Sequence, residues 1–529
     1  MLSLSTVIVK LLGLGFKIPM LSLLGAEGMG YFNSAFEIYA LLCTIATAGL
    51  PVALSILVSS ARARGDLLAA ESVYRSARRL FLLFGCCFCA VMLLLSDRLA
   101  ELIGNPNAAL CIRAIAPALI FTCLSGAIRG YCQGYEYMTP TAISQLIEAA
   151  GKLLLGVLFA LFSLKRGYSL PAVSAFSVLG ISLGSFLSLV YLAFARRIGL
   201  LGKRIGAEEA ARENLRADNK SEGLKRLLRI ALPITLGSLV IGLTRIIDMT
   251  LIMRRLSDVG IGATERNEIY GAYTTLALPV FSLIPALIAP VSVALVPQLS
   301  AFAEKRDKKG EKTVSENALR MTVIFALPAS FGLTAFARPI LELLFSGQSE
   351  AIEISAPLLS ALGGSVLFSC LITTTNAMLQ SYGKVFLPIV SMSVGVAVKL
   401  VSSWVLMGID SIGALGAPLG SLCCNLTVTL INLAFISSCL CGGLNAARLF
   451  FKPLVASVLS VGGSFAFYAY LNAELNGSSL PFVWALLAAF VLYFLLSLAM
   501  GSITRDDILL LPFIDRIFSR KAEREREES

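Results

Sequence analysis

QGYEYMTPTAISQLIEAAGKL, residues 133–153, lies in register with QSYGKVFLPIVSMSVGVAVKL, residues 380–400, and sets Lys152 against Lys399. The same correspondence extends outward along the chain. The interval from Tyr31 to Pro51 equals that from Tyr270 to Pro290, PVALSILVSSARARGD (51–66) runs against PVSVALVPQLSAFAEKRD (290–307), and AIAPAL (114–119) matches ISAPLL (354–359). One unit is present twice. The repeat divides the chain into a first lobe at 1–200, a basic linker at 201–226, a second lobe at 227–443, an appended pair of helices at 444–502 and a charged tail at 503–529.

The unit is built of membrane helices. Of 529 residues, 57% are hydrophobic and 15% charged, and the mean hydropathy is +0.82, outside the range of soluble globular chains. Crossing ~30 Å of hydrocarbon takes about 20 apolar residues. Runs of that length lie near 4–24, 31–60, 80–96, 112–130, 140–163, 170–195, 228–253, 269–299, 321–337, 354–380, 385–408, 412–440, 449–471 and 480–501. The expectation is an all-α polytopic membrane protein of fourteen transmembrane helices, two six-helix repeats plus two. Six is even, so both copies enter from one side as parallel repeats. The first run carries Lys10 and Lys17 with no small-residue cleavage site, and reads as helix 1 rather than a removable signal peptide.

Lysine and arginine set the orientation, because short loops rich in them stay cytoplasmic. Thirty-one of the 44 fall in the loops after even-numbered helices and in the C-terminal tail, eight in the opposite loops. Both termini are therefore expected in the cytoplasm. The net charge of +11 reads as this topology signal together with contact to anionic lipids, and no nucleic-acid partner is expected.

Five cations remain inside the spans: Lys10, Lys17, Lys152, Arg245 and Lys399. A charge near the bilayer centre costs at least ~2.5 to 3.5 kcal/mol, so such residues face the protein interior, a partner or water. Lys10, close to a helix end, can snorkel to the interface. In the repeat register Lys17 answers Arg245 and Lys152 answers Lys399. Carboxylates within spans are Glu37, Glu148 and Asp248. Glu148 and Lys152 stand four apart and Arg245 and Asp248 three apart, so each pair is expected to close within its own helix. Neither Lys17 nor Lys399 has a carboxylate one turn away in its own helix. Arg129, at the end of helix 4, joins this set, and the surplus of positive charge suits an anionic substrate in a hydrated cavity. Prolines within apolar runs, Pro51, Pro285 and Pro290, are the expected hinges.

Other chemistry is excluded by what is missing. The chain has no histidine, which removes His-based catalysis and the usual His-containing metal sites. Its twelve cysteines, CCFC at 86–89 among them, sit inside apolar runs as small hydrophobic residues. No P-loop is present. The expectation is a transporter rather than an enzyme, without cofactor, driven by an ion gradient, membrane potential or substrate turnover, and monomeric.

YFNSAFEIYALLCTIATAGLPVALSILVS (31–59), RGYCQGYEYMTPTAISQLIE (129–148) and IYGAYTTLALPVFSLIPALIAPVSVALVPQLS (269–300) resemble the SpoVB and MurJ branch of the MOP superfamily over essentially the whole chain. The resemblance implies a V-shaped, two-lobed bundle in the bacterial plasma membrane. It implies a flippase that moves an undecaprenyl-pyrophosphate-linked oligosaccharide, lipid II or a related wall, spore-cortex or capsular precursor, to the outer leaflet. Carried over by residue, the family's helix-1 cation falls on Lys17 and its helix-5 pattern on Gln145, Glu148 and Lys152. Lysine stands at 152 where the family usually has arginine, keeping the charge without the bidentate fork. Arg245 stands where this branch usually has a neutral residue. Sugar recognition would rest on dispersed polar side chains such as Asn33, Gln133, Asn376 and Gln380. Two other readings compete. A MATE-type cation-coupled drug exporter shares the twelve-helix core but favours acidic binding lobes, and a membrane glycan polymerase would need a large outward loop, whereas the outward loops here are short.

Overall fold

Backbone amides cannot go unsatisfied in hydrocarbon, so apolar runs of this length cross it as helices. In the computed structural model, which describes residues 2–197, 220–305, 307–384, 386–439, 446–474 and 480–501, helix is the only regular structure among the described residues. The linker expected at 201–226 lies outside the described residues as far as 219, and the tail at 503–529 lies wholly outside them. In chain order the helices are α1 (Leu2–Thr47), α2 (Leu50–Ala63), α3 (Leu67–Leu94), α4 (Ser96–Leu102), α5 (Ala109–Gly134), α6 (Thr139–Lys165), α7 (Leu170–Arg197), α8 (Lys220–Asp258) and α9 (Ala263–Ala272). A π-helical turn, Tyr273–Ala277, follows. Then come α10 (Leu278–Glu304), α11 (Lys308–Ala335), α12 (Ala337–Leu344), α13 (Ser349–Gly363), α14 (Val366–Ser381), α15 (Phe386–Met407), α16 (Gly416–Cys439), α17 (Ala446–Glu474) and α18 (Leu480–Ala499).

Among the described residues twelve helices are long and apolar enough to cross a membrane, or thirteen if the pair α13 and α14, bent by 49°, is one span. The first of the twelve covers both expected spans, 4–24 and 31–60, which are two helices joined at a kink. Its stretch Gly15–Ala63 holds 49 residues, about 74 Å of helix at 1.5 Å per residue. The run turns at Gly25, whose φ of 65° and ψ of −178° suit a residue without Cβ, and breaks again at 48–49. Pro51 accordingly lies in the first turn of α2, a position proline tolerates, and not in a helix interior as expected. Pro285 and Pro290 do lie within α10.

The repeat is legible in local geometry. Asp66 caps α3 by accepting from Ala69 N, and Asp307, its counterpart, caps α11 by accepting from Lys309 N and Gly310 N. Pro117 and Pro357 sit inside α5 and α13. The turn after α5 and the turn after α14 share one hydrogen-bond pattern. Glu136 N donates to Gln133 O and Tyr137 N to Cys132 O, as Gly383 N donates to Gln380 O and Lys384 N to Leu379 O. Both turns pass through the left-handed region at the same register, Glu136 with φ 62° and Gly383 with φ 70°. The copies are 240 residues apart at the proline and 247 at the turn. The second copy thus has seven extra residues there, and it is in this interval that the helix breaks into α13 and α14.

By packing, the chain gathers into two compact units, 1–275 with 403–417 and 276–402 with 418–529. In the first, Leu54, Val58, Tyr74, Phe81, Tyr131 and Leu227 share a core between α2, α3, α5 and α8. α6 and α7 meet at glycines: a Cβ on Gly151 would stand 2.7 Å from Gly184 Cα, the close backbone approach that small residues permit in membranes. In the second unit, Leu299, Leu319, Leu327 and Met378 form the core. The C-terminal pair α17 and α18 packs there on α11 and α12: Phe336 lies within 6 Å of the rings of Phe465, Tyr468 and Phe482, and Tyr493 donates to Ile324 O at 2.6 Å.

Candidate functional site

Six of the ionisable residues expected within spans, Lys17, Glu37, Glu148, Lys152, Arg245 and Asp248, lie together in the first unit with Arg129. α6 carries Gln145, Glu148 and Lys152 at i, i+3 and i+7, one helix face. Glu148 does not pair with Lys152 as its spacing suggests. Its carboxylate accepts from Arg129 of α5 at 2.8 Å and from Ser185 of α7 at 3.4 Å. Arg129 also donates to Ser144 at 2.9 Å and Ser188 at 3.0 Å. The ion pair is largely shielded, with side chains 15% and 26% exposed. With two donors on the carboxylate and three acceptors on the guanidinium, the pair serves as a clamp joining α5, α6 and α7.

With Glu148 engaged, the Lys152 ammonium lies over phenylalanine faces: Phe36 at 4.5 Å, Phe16 at 4.8 Å and Phe32 at 5.8 Å from Nζ to the ring centroid. All three rings come from α1, on the two sides of the Gly25 turn. Ring quadrupoles within about 6 Å attract a cation, so the cage holds the charge without a carboxylate. Lys152 makes no ion pair among the described residues.

Lys17, next to Phe16, donates to Thr274 O at 2.7 Å. This carbonyl lies in the π turn, where the regular backbone ladder is disturbed. Asn33 braces the same turn, donating to the hydroxyls of Thr274 at 2.8 Å and Thr275 at 2.9 Å. Its amide is thus engaged in structure and not presented to a sugar as expected. The second expected pair also closes differently: Arg245 of α8, 56% exposed at its side chain, stands 3.8 Å from Glu37 of α1, in place of an intrahelical pair with Asp248. Asp248 is buried. Glu37 lies within electrostatic reach of Arg245, Lys17, Asp248 and Lys152, which defines one cluster.

Of the nine charged or amide residues expected, Lys17, Glu37, Arg129, Glu148, Lys152, Arg245 and Asp248 come together, and Gln145 lies half-buried on the same α6 face. Lys399 lies buried in the second unit, where Asn376 Oδ1 accepts from Asn432 at 2.9 Å. The phenylalanine cage was not anticipated. Phe16, Phe32 and Phe36, each one residue before a charged or polar position of α1, namely Lys17, Asn33 and Glu37, were its visible trace.

Chemically, the cluster holds four cations and three acids. Arg129 and Arg245 face carboxylates, whereas the two ammonium groups are held by a carbonyl and by aromatic rings. Residues 1–303 match the family model described as polysaccharide biosynthesis protein, more than half of the chain and the part that contains this whole cluster. The chain belongs to the polysaccharide biosynthesis protein family. Residues 233–405 also match the MatE model.

Relatives of this polysaccharide biosynthesis family member include Stage V sporulation protein B of Bacillus subtilis, 25% identical over 521 residues and covering 97% of this chain and 96% of that one. Lipid II flippase MurJ of the same organism is 26% identical over 417 residues, 76% of this chain and 75% of that one. Among solved structures, lipid II flippase MurJ in an inward closed conformation aligns over 94% of this chain and 97% of its own with a TM-score of 0.70 at 15% identity. An inward-facing MATE family transporter of the MOP superfamily aligns over 81% and 96% with a TM-score of 0.66 at 16% identity. The fold is that of the MOP superfamily, and the protein is a multi-pass membrane protein.

Proposed function

We propose that this chain is a flippase that moves an undecaprenyl-pyrophosphate-linked oligosaccharide from the inner to the outer leaflet of a bacterial plasma membrane by alternating access. The observation that carries this reading is the pair of ammonium groups, Lys17 and Lys152, kept in membrane-spanning helices while the neighbouring Glu37 and Glu148 face arginines. A charge in that setting is expensive unless it serves a ligand or lines water, and a pyrophosphate is the lipid-borne group that two such cations complement. The arginine-rich loops, taken as cytoplasmic, place both termini inside. Arg129 and Glu148 fix the α6 face, Arg245, Glu37 and Asp248 border the ammonium groups, and Pro285 and Pro290 in α10 supply bending points, with Lys399 the counterpart of Lys152 in the second repeat. No cofactor enters; an ion gradient, the membrane potential or consumption of product outside drives the cycle. The names of the sporulation protein, covered nearly full length, and of MurJ, covered over three quarters, support the lipid-linked substrate class.

A second reading, export of a cationic drug, is favoured by the MatE match and the MATE-like fold. The experiment that separates them depletes bacterial cells of their own flippase and supplies this chain. Precursor reaching the outer leaflet, scored by its cleavage or labelling from outside, supports the flippase. Absence of precursor outside together with lowered accumulation of ethidium would favour the exporter.

A further inference from the structure

Outside the charged cluster, the first unit has a cavity of about 480 Å³ lined by Tyr74 and Arg78 of α3, Leu124 and Ile128 of α5, and Leu189, Ala193 and Arg196 of α7. Its chemistry is divided. Leucine, isoleucine and alanine make an apolar floor, and two guanidinium groups stand with a tyrosine at one end. Arg196 is positioned from two sides: its Cζ lies 3.9 Å from the Tyr74 ring centroid and 5.3 Å from that of Tyr131, and its Nη2 donates to both Glu71 oxygens at 2.8 and 3.0 Å. Glu71 is shared with Arg75 at 3.5 Å and does not itself line the cavity. Arg78 is exposed and forms no ion pair among the described residues. Against this single carboxylate stand Arg75, Arg78 and Arg196, so the cavity mouth is cationic.

The cavity also sits at a defined depth. Tyr74 and Arg78 lie early in the span Ala69–Leu94, Ile128 lies late in Pro106–Gly134, and Arg196 ends the span Leu170–Arg196, so the polar end is at the arginine-rich edge of three spans and the floor runs toward their centres. A ligand that matches has a phosphate anion joined to an apolar body. We infer that this cavity binds one anionic phospholipid, its headgroup phosphate between Arg78 and Arg196 and its glycerol and first acyl carbons over Leu124, Ile128, Leu189 and Ala193. Basic pockets between helices at the membrane surface recognise lipid headgroups in this way. The site is separate from the cluster around Lys152 and independent of which substrate that cluster carries.

The test is native mass spectrometry of the full chain purified in detergent after equilibration with phosphatidylglycerol or phosphatidylcholine. The unaltered chain is expected to retain one phosphatidylglycerol in preference to phosphatidylcholine. Arg78→Gln, at the exposed rim, should lower that occupancy roughly fivefold, the scale of one cationic contact with an anionic lipid. Ala193→Phe, an exposed floor position, should abolish the retained lipid by filling the space, and neither change touches the core, so size-exclusion profiles should match the parent. Arg64→Gln, an exposed arginine outside the cavity, should change nothing. Equal retention in the parent, Arg78→Gln and Ala193→Phe would overturn the inference. Displacement of the lipid by millimolar inorganic phosphate would also overturn it, since the site would then take a soluble phosphate.

Discussion

The two repeats place a lysine at the same register, Lys152 in α6 and Lys399 in α15, and surround it differently. In the first copy a full ionic system stands beside it: Glu148 one turn back and Arg129 across on α5. In the second copy, 247 residues on, glycine occupies the Glu148 position and asparagine the Arg129 position. Space explains the first of these. A Cβ on Gly395 would stand 2.3 Å from Val428 Cγ2, so a side chain there would have to displace the Val428 methyl. Asn376 joins an amide network with Asn432 and Thr375 where Arg129 would hold a carboxylate. Duplication kept the scaffold and one cation, while the acid–base clamp that frees Lys152 belongs to the first copy alone.

The largest effect should come from breaking that clamp asymmetrically. Arg129→Gln leaves a shielded Glu148 carboxylate without its counter-ion, a loss of about 3 to 5 kcal/mol, read as a lowered thermal midpoint in detergent. Adding Glu148→Gln should recover most of it, because a neutral amide pair no longer holds a buried charge. Recovery of none would mean that the arginine acts through packing alone. Next in size is the glycine contact of the second copy. Gly395→Ala forces a methyl into Val428 and should destabilise by about 1 to 3 kcal/mol, whereas an alanine at 148 should leave α6 and α7 packed. The aromatic cage comes third: Phe36→Leu removes the nearest ring from Lys152 and should weaken the hold on its ammonium by about 0.5 to 2 kcal/mol, seen as reduced transport with an unchanged thermal midpoint. The smallest effect lies in the shared turn. Glu136 adopts the left-handed conformation that Gly383 adopts at the same register, so Glu136→Gly should stabilise slightly, by up to about 1 kcal/mol, less any loss of its 3.9 Å contact with Arg62.

Much of the scaffold was visible in the sequence because it follows from short-range rules. Alignment of 133–153 with 380–400 located the matched turns, and Asp66 and Asp307 fell at equivalent caps because N-cap chemistry requires a side-chain acceptor there. The bends were not visible. Whether 4–24 and 31–60 are separate helices depends on the backbone angles of one glycine, and the bend between α13 and α14 arises from an insertion that hydropathy does not register. At the site, Lys17, Lys152 and Arg245 were found as charges in apolar runs, yet Lys152 and Arg245 were given other partners than the structure shows and Lys17 was given none. Spacing along a helix recognises neighbours at i+3 and i+4 only, and here the partners come from other helices: Arg129 from α5, Glu37 and the phenylalanines from α1, and the Thr274 carbonyl from a π turn.

We propose that Lys152, relieved of Glu148, presents its charge to the phosphates of a lipid-linked glycan. The most direct test is the leaflet accessibility of undecaprenyl-pyrophosphate-linked precursor in flippase-depleted cells supplied with the intact chain or with Lys152→Gln at equal membrane levels. Precursor is expected outside with the intact chain, with at least a roughly tenfold loss for Lys152→Gln, the scale of a hydrogen bond to a charged group. Equal transport by both would contradict it and make Lys152 a structural cation held by its phenylalanines.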